Sequence, residues 1–274
     1  MVGKAVLDSF PLVSQPGRET GTPPAFGGSQ YWYERHTARY SGCGPVAAAN
    51  LFAVMAKGDD EKARRMGISF GADGSIAKAE YLAFMQRVYD AVGTREIPGI
   101  CRRMDERHEK TRAMLNSEVE AVRKKGLGRY KNPLSHIPAS LGNSAGSFCR
   151  GVLRYGEQNG MQLLPHRLKT RGASCEEGLA FIEGGLRSKV PVVLLSWLNR
   201  HDVLLYARDF GDAPKAVQNY EPHFMTIAAL RQGEKGAELM VSDRGIRAGI
   251  PYASLCESWA SPWATGSALL YFTL

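Results

Sequence analysis

The chain has no Cys-x-x-Cys pair, no long apolar run and no internal repeat, and each absence narrows what it can be. Its five cysteines, Cys43, Cys101, Cys149, Cys175 and Cys256, are odd in number and widely scattered. Such a set fits neither a disulfide framework nor a zinc site. No stretch approaches the roughly 20 apolar residues that a membrane-spanning helix needs. The opening MVGKAVLDSFPLVSQPGRET lacks the unbroken apolar core of a secretory signal, because Asp8 and Pro11 interrupt it. The expected compartment is therefore the cytoplasm, where thiols stay reduced. Missing too are an RNA-binding aromatic signature and zinc-finger spacing, although the net charge is +8. The positive charge is densest over 102–131, with ten Lys/Arg against five Asp/Glu. We read that segment as the solvated face of a helix, not as a nucleic-acid site.

What is present is an ordinary soluble composition, 44% hydrophobic and 23% charged over 274 residues. That is enough for one domain, 1–274, with a sizeable core. Residues 1–30 are rich in Gly, Pro, Ser and Thr and read as an extended lead-in. Helices are expected over 45–57, 75–92, 104–125 and 145–159, with 96–145 forming a helical, basic insertion. A fifth helix follows Ser174, where Ser174 and Glu177 have the spacing of a capping box. In the third helix, Met104, His108, Thr111, Leu115, Val119 and Val122 form one stripe, which makes His108 a packing residue. His136 falls in an irregular surface stretch. After the fifth helix the texture becomes β-rich. VPVVLLSW (190–197) reads as a buried strand. HFMTIAAL and AELMVSDRG (223–230 and 237–245) read as a strand pair joined by a polar turn. GIPYASL and SALLYFTL are further extended pieces. Helices first and strands last argue for an α+β fold, with the helical N-terminal half packed on a C-terminal antiparallel sheet.

Cys43 stands in RYSGCGPVAAANLF between two glycines, just before a helix expected to start at Pro45. A helix N-terminus lowers a thiol pKa, and thiolate is the reactive form. Gly42 and Gly44 are expected to clear room for a substrate carbonyl. A cysteine nucleophile also needs a base and a group that orients the base. His223 opens a predicted strand, and Asp243 ends the next one. Antiparallel pairing brings those two ends together. His201–Asp202 is the weaker rival, since adjacent strand residues point to opposite faces. Ser242 would replace Asp243 if the register slipped by one. Asp243 in SDRG also reads as a plain turn former. Trp259 and Trp263 read as core covers.

GCGPVAAANL, PVVLLSW, PHFMTIAAL and VSDRGIRAGIPYASLCESW together resemble the papain-like cysteine peptidases of the bacteriocin-processing type. The resemblance covers 40–56 and 190–259 and leaves 71–188 matched only in helical content. It implies a papain-like fold with Cys43 as nucleophile, His223 as general base and Asp243 as the orienting residue. A peptide or related amide is then the substrate, with no metal or organic cofactor. Members of that family usually carry a glutamine about six residues before the cysteine, whose amide helps hold the oxyanion. Here Thr37 occupies that position. Gln30, thirteen residues upstream, and Tyr40 are the candidate donors, and Gln30 reaches the site only if the intervening loop folds back. His36 lies in the same loop and reads as a surface residue. Two expectations follow: a thiol hydrolase using Cys43, His223 and Asp243, or a papain-like module that binds with little or no catalysis. The long stretch before His223 is expected to border the site.

Overall fold

An apolar run with no polar alternation, such as VVLLS at 192–196, belongs in a sheet covered on both faces. The computed structural model has that arrangement. It describes residues 5–7, 9–14, 24–94, 98–117, 119–122, 124–125, 142–197, 203–205, 215–217, 223–233, 236–261 and 264–274. Its strands are β1 (Ala5–Val6), β2 (Leu12–Ser14), β3 (Ala25–Phe26), β4 (Ser75–Ala77), β5 (Leu164–Lys169), β6 (Val192–Ser196), β7 (Val203–Leu205), β8 (Lys215–Val217), β9 (His223–Gly233), β10 (Gly236–Asp243), β11 (Ile246–Pro251) and β12 (Ala268–Thr273). Its helices are α1 (His36–Ser41), α2 (Cys43–Ala56), α3 (Asp60–Met66), α4 (Lys78–Val92), α5 (Pro98–Leu115), α6 (Ala145–Gln158), α7 (Cys175–Arg187) and α8 (Tyr252–Trp259). The fold is mixed α+β.

Among the described residues, nine strands form the main sheet, in the order β5-β12-β6-β9-β10-β11-β7-β8, with β1 added beside β9. Its pairings are antiparallel. Val193, Leu195, Phe224 and Leu270 face a core built with α2, α4 and α6. Their alternates Val192, Leu194, Met225 and Leu269 face a second core closed by α7 and α8. The sheet therefore carries helices on both sides. The α+β class and the antiparallel sheet are as expected, and α8 is a helix that the pattern does not predict. The physical reason is visible in α8. Tyr252, Leu255, Cys256 and Trp259 recur at three- and four-residue steps and bury one stripe against the sheet. The pattern of GIPYASL suggests an extended piece there, and the helix takes over from Tyr252.

Other differences have similar causes. Residues 75–77 were expected to begin a helix, but pair in parallel with β2 and form a three-stranded sheet with β3. Sheet pairing overrides helix propensity there. The helix expected over 104–125 instead begins at Pro98 and ends at Leu115, and Val119 of its supposed stripe is 59% exposed. The lead-in contributes the short strands β1, β2 and β3. The capping box of Ser174 and Glu177 is present as read, and Ser144 and Ser147 form another. Among the described residues, no helix is long and apolar enough to cross a membrane. His136, His201, Asp202 and Trp263 lie outside the described residues.

Helix α2 is buried along nearly its whole length, which explains why it shows no amphipathic stripe. Its alanines allow close contact with α4, α6 and β9. Close packing also sets two glycine positions apart. A Cβ on Gly151 of α6 would stand 2.6 Å from Val92 Cα, whereas one on Gly184 of α7 would meet only the Tyr271 hydroxyl at 3.5 Å. Helix propensity alone favours alanine over glycine by about 1 kcal/mol. Gly151→Ala is therefore expected to reverse that sign and cost about 1–3 kcal/mol. Gly184→Ala should be neutral or stabilising by up to about 1 kcal/mol. Urea unfolding of the two variants checks both.

Candidate active site

The helix that begins at Cys43 and the strand that begins at His223 pack directly on each other. Cys43 is the first residue of α2, so Pro45 is third, not first as expected. The first turn of a helix has no intrahelical partner for its N–H groups, and proline's missing donor costs nothing at either position. Residues His223 and Asp243 open β9 and close β10, at the same end of the antiparallel pair. Asp243 pairs with Ile246 across a two-residue turn, Arg244-Gly245, with φ of 52° and 78°. A turn with positive φ at both positions suits a twisted hairpin. Arg244 is strained in it, as non-glycine residues there are.

The geometry is that of a relay. The ring N–H at His223 Nε2 donates to Asp243 Oδ1 at 2.7 Å, with both side chains buried. That leaves Nδ1 for the Cys43 sulfur, which is hydrogen-bonded to the same ring. Burial opposes ionisation of the Cys43 thiol. The hydrogen bond and charge of His223, with the backbone N–H groups of Phe224 and Gly44, outweigh it and hold the thiol below its ordinary value. Burial likewise works against a charged His223. The hydrogen bonds and charges of Asp243 and Cys43 win, and raise the imidazole to about 9. The thiol is thus lowered and the imidazole raised, each through the other group. Cys43 as a whole residue is partly buried, and it lines a cavity of about 10 Å³.

Gln30 is brought to this centre. It is 6% exposed and lines, with Cys43, His223 and Arg244, a cavity of about 10 Å³, the size of one water. Its Nε2 donates to Arg39 O at 2.8 Å, which folds the intervening segment back. The thirteen-residue separation from Cys43 accommodates α1, a helix that the sequence reading missed. Tyr40 is not brought in: its side chain is 41% exposed and packs on His36 instead. Thr37 is occupied elsewhere, its N–H and hydroxyl donating to Asp105 Oδ1 at 2.8 and 2.9 Å. His36 stacks on His108 with centroids 3.8 Å apart, so both help dock α1 against α5.

The glycines beside Cys43 serve packing, which corrects the expectation that they clear space for a substrate. The place of a Cβ on Gly42 is taken by the Ala38 carbonyl and the Tyr33 ring, the ring at 2.8 Å. On Gly44 it is taken by Asn143 Oδ1 at 2.7 Å.

A residue not singled out in the sequence ties the site together. Asn50 lies two helical turns beyond Cys43 in α2. Its Nδ2 donates to Thr226 Oγ1 of β9 at 3.2 Å and to Ser242 Oγ of β10 at 3.3 Å. Its Oδ1 accepts from the Tyr81 hydroxyl at 2.7 Å and from the Gly28 N–H at 2.9 Å. Ser242 in turn donates to Phe26 O at 2.6 Å. Ser242 thus serves this network and not the imidazole. Gly27 and Gly28 let the strap before Gln30 pass over it, since a Cβ on Gly27 would strike Asn50 and Ser242 at 2.7 Å. A lone buried asparagine in an alanine-rich helix was the available signal, because a buried amide needs partners.

Asn50→Leu leaves the Tyr81 and Ser242 hydroxyls and the Gly28 N–H short of partners. The expected loss is about 2–4 kcal/mol, measured by urea unfolding. A loss below about 0.5 kcal/mol would show that the network is not cooperative. No protein-family model, curated protein or solved structure matches the chain, so the chemistry is argued from the geometry above.

Proposed function

We propose that the protein is a thiol hydrolase of papain-like architecture that cleaves a peptide or related amide bond. The observation that carries this reading is the double engagement of His223, by Asp243 on one ring nitrogen and by the Cys43 thiol on the side of the other. The Cys43 thiolate attacks the carbonyl carbon, and the carbonyl π electrons move onto oxygen. Gln30 Nε2, an amide with two N–H groups of which one goes to Arg39 O, is our side-chain donor to that oxyanion, a reading supported by its lining the same cavity as Cys43. The imidazolium gives its proton to the leaving nitrogen as the C–N bond breaks, and a thioester remains. His223 then takes a proton from water, which attacks the thioester and releases the acid and the Cys43 sulfur. Asp243 stays ionised and holds the ring in place.

The test is a peptide-derived electrophile that labels thiolates, read by mass spectrometry across all five cysteines. Cys43 should react first at mildly acidic pH, and His223→Ala should abolish its advantage. Equal labelling of the five would remove the hydrolase reading and leave the binding module.

With fluorogenic peptide amides, Cys43→Ala should abolish turnover. Gln30→Ala should lower kcat by on the order of a hundredfold with little change in KM. The pH profile should rise through the lowered thiol pKa and fall near 9, where the imidazolium deprotonates. Asp243 raises His223, so Asp243→Asn should move the alkaline limb down. An unmoved limb would show that it belongs to another group.

A further inference from the structure

On the face of the sheet away from Cys43, a second pair of cysteines meets. Cys175 is the first residue of α7 and exposed, whereas Cys256 lies in α8 at 8% exposure. Their thiols are within hydrogen-bonding reach of each other. The contact is held from two sides. The Tyr252 hydroxyl donates to Cys175 O and also engages the Cys256 sulfur. Gly178, one turn into α7, lets the Tyr252 and Trp259 rings close against that helix, where any Cβ would strike both. Nothing in the chemistry at Cys43 uses these residues.

We propose that Cys175 and Cys256 form a reversible redox pair that a hydroperoxide oxidises to a disulfide. The exposed Cys175 sulfur attacks the hydroperoxide, the O–O bond breaks and an alcohol or water leaves, giving a sulfenic acid. The Cys256 sulfur then attacks the sulfenic sulfur, the S–O bond breaks, and the hydroxyl leaves as water with the Cys256 proton. The two electrons reside on the reduced hydroperoxide. Burial and the neighbouring Cys175 push the Cys256 thiol up to about 12. The resulting bond staples α7 to α8 and closes a loop that contains His223 and Asp243. A small-molecule thiol reverses it by exchange.

The experiment uses the full chain carrying Cys43→Ser, so that the other reactive thiol cannot compete. Hydrogen peroxide should remove two hydrogens from the intact mass and yield one Cys175–Cys256 linked peptide, restored by dithiothreitol. In the added variant Cys256→Ser, Cys175 should instead stop as a sulfenic acid that dimedone traps. Dimedone labelling of Cys175 at equal rates with and without Cys256, and no linked peptide, would overturn the proposal. So would a linkage of Cys175 to Cys149 or to a second molecule.

Discussion

One amide ties its own helix to four other pieces of chain, α4 among them through Tyr81. Asn50 joins the helix that starts at Cys43 to β9, to β10 and, through Gly28, to the strap that carries Gln30. Those pieces come from distant parts of the sequence, and each brings one side chain to the same small space. An asparagine in the middle of a buried helix is costly unless its amide is paired. Here its oxygen and its nitrogen each have two partners, so the amide acts as a register pin between layers that apolar packing alone would let slide.

The same opposition between burial and pairing governs the cluster of Cys43, His223 and Asp243. Removing Cys43 and His223 from water disfavours both charges. Each supplies the partner that the other lost, and Asp243 adds a third charge at 2.7 Å from the ring. The imidazole is raised because both neighbours, Asp243 and Cys43, contribute hydrogen bonds and charge that outweigh its burial. The strained Arg244 belongs to this arrangement, since the tight turn it occupies brings β10 to its end at Asp243.

Covering the sheet on both faces separates two kinds of thiol. Cys43 sits on the helix-rich face, at the N-terminus of α2. Cys175 and Cys256 sit on the other, where α7 and α8 meet. The sheet between them gives each its own surroundings, with a histidine on one side and a tyrosine and another thiol on the other.

Much of this was readable in the residues. The period-free run at 192–196, the capping box at Ser174, and the polar turn between β9 and β10 are local signals, and they placed His223 and Asp243 at one end of a hairpin. Cysteine before an alanine-rich helix was equally legible. What pattern could not supply was distance across the fold. Nothing in spacing says that α1 is inserted before Cys43, or that Gln30 comes to line the same cavity. Nor does a glycine reveal whether its empty side faces a substrate or a neighbouring ring; Tyr33 and Asn143 answer that only once folded. The sequence by itself determined that Cys43 heads a helix and that His223 and Asp243 share one end of a hairpin, because local propensity and turn geometry set where strands and helices begin. Tertiary structure decided which donors reach them, because buried hydrogen bonds between remote segments depend on packing that no single segment encodes.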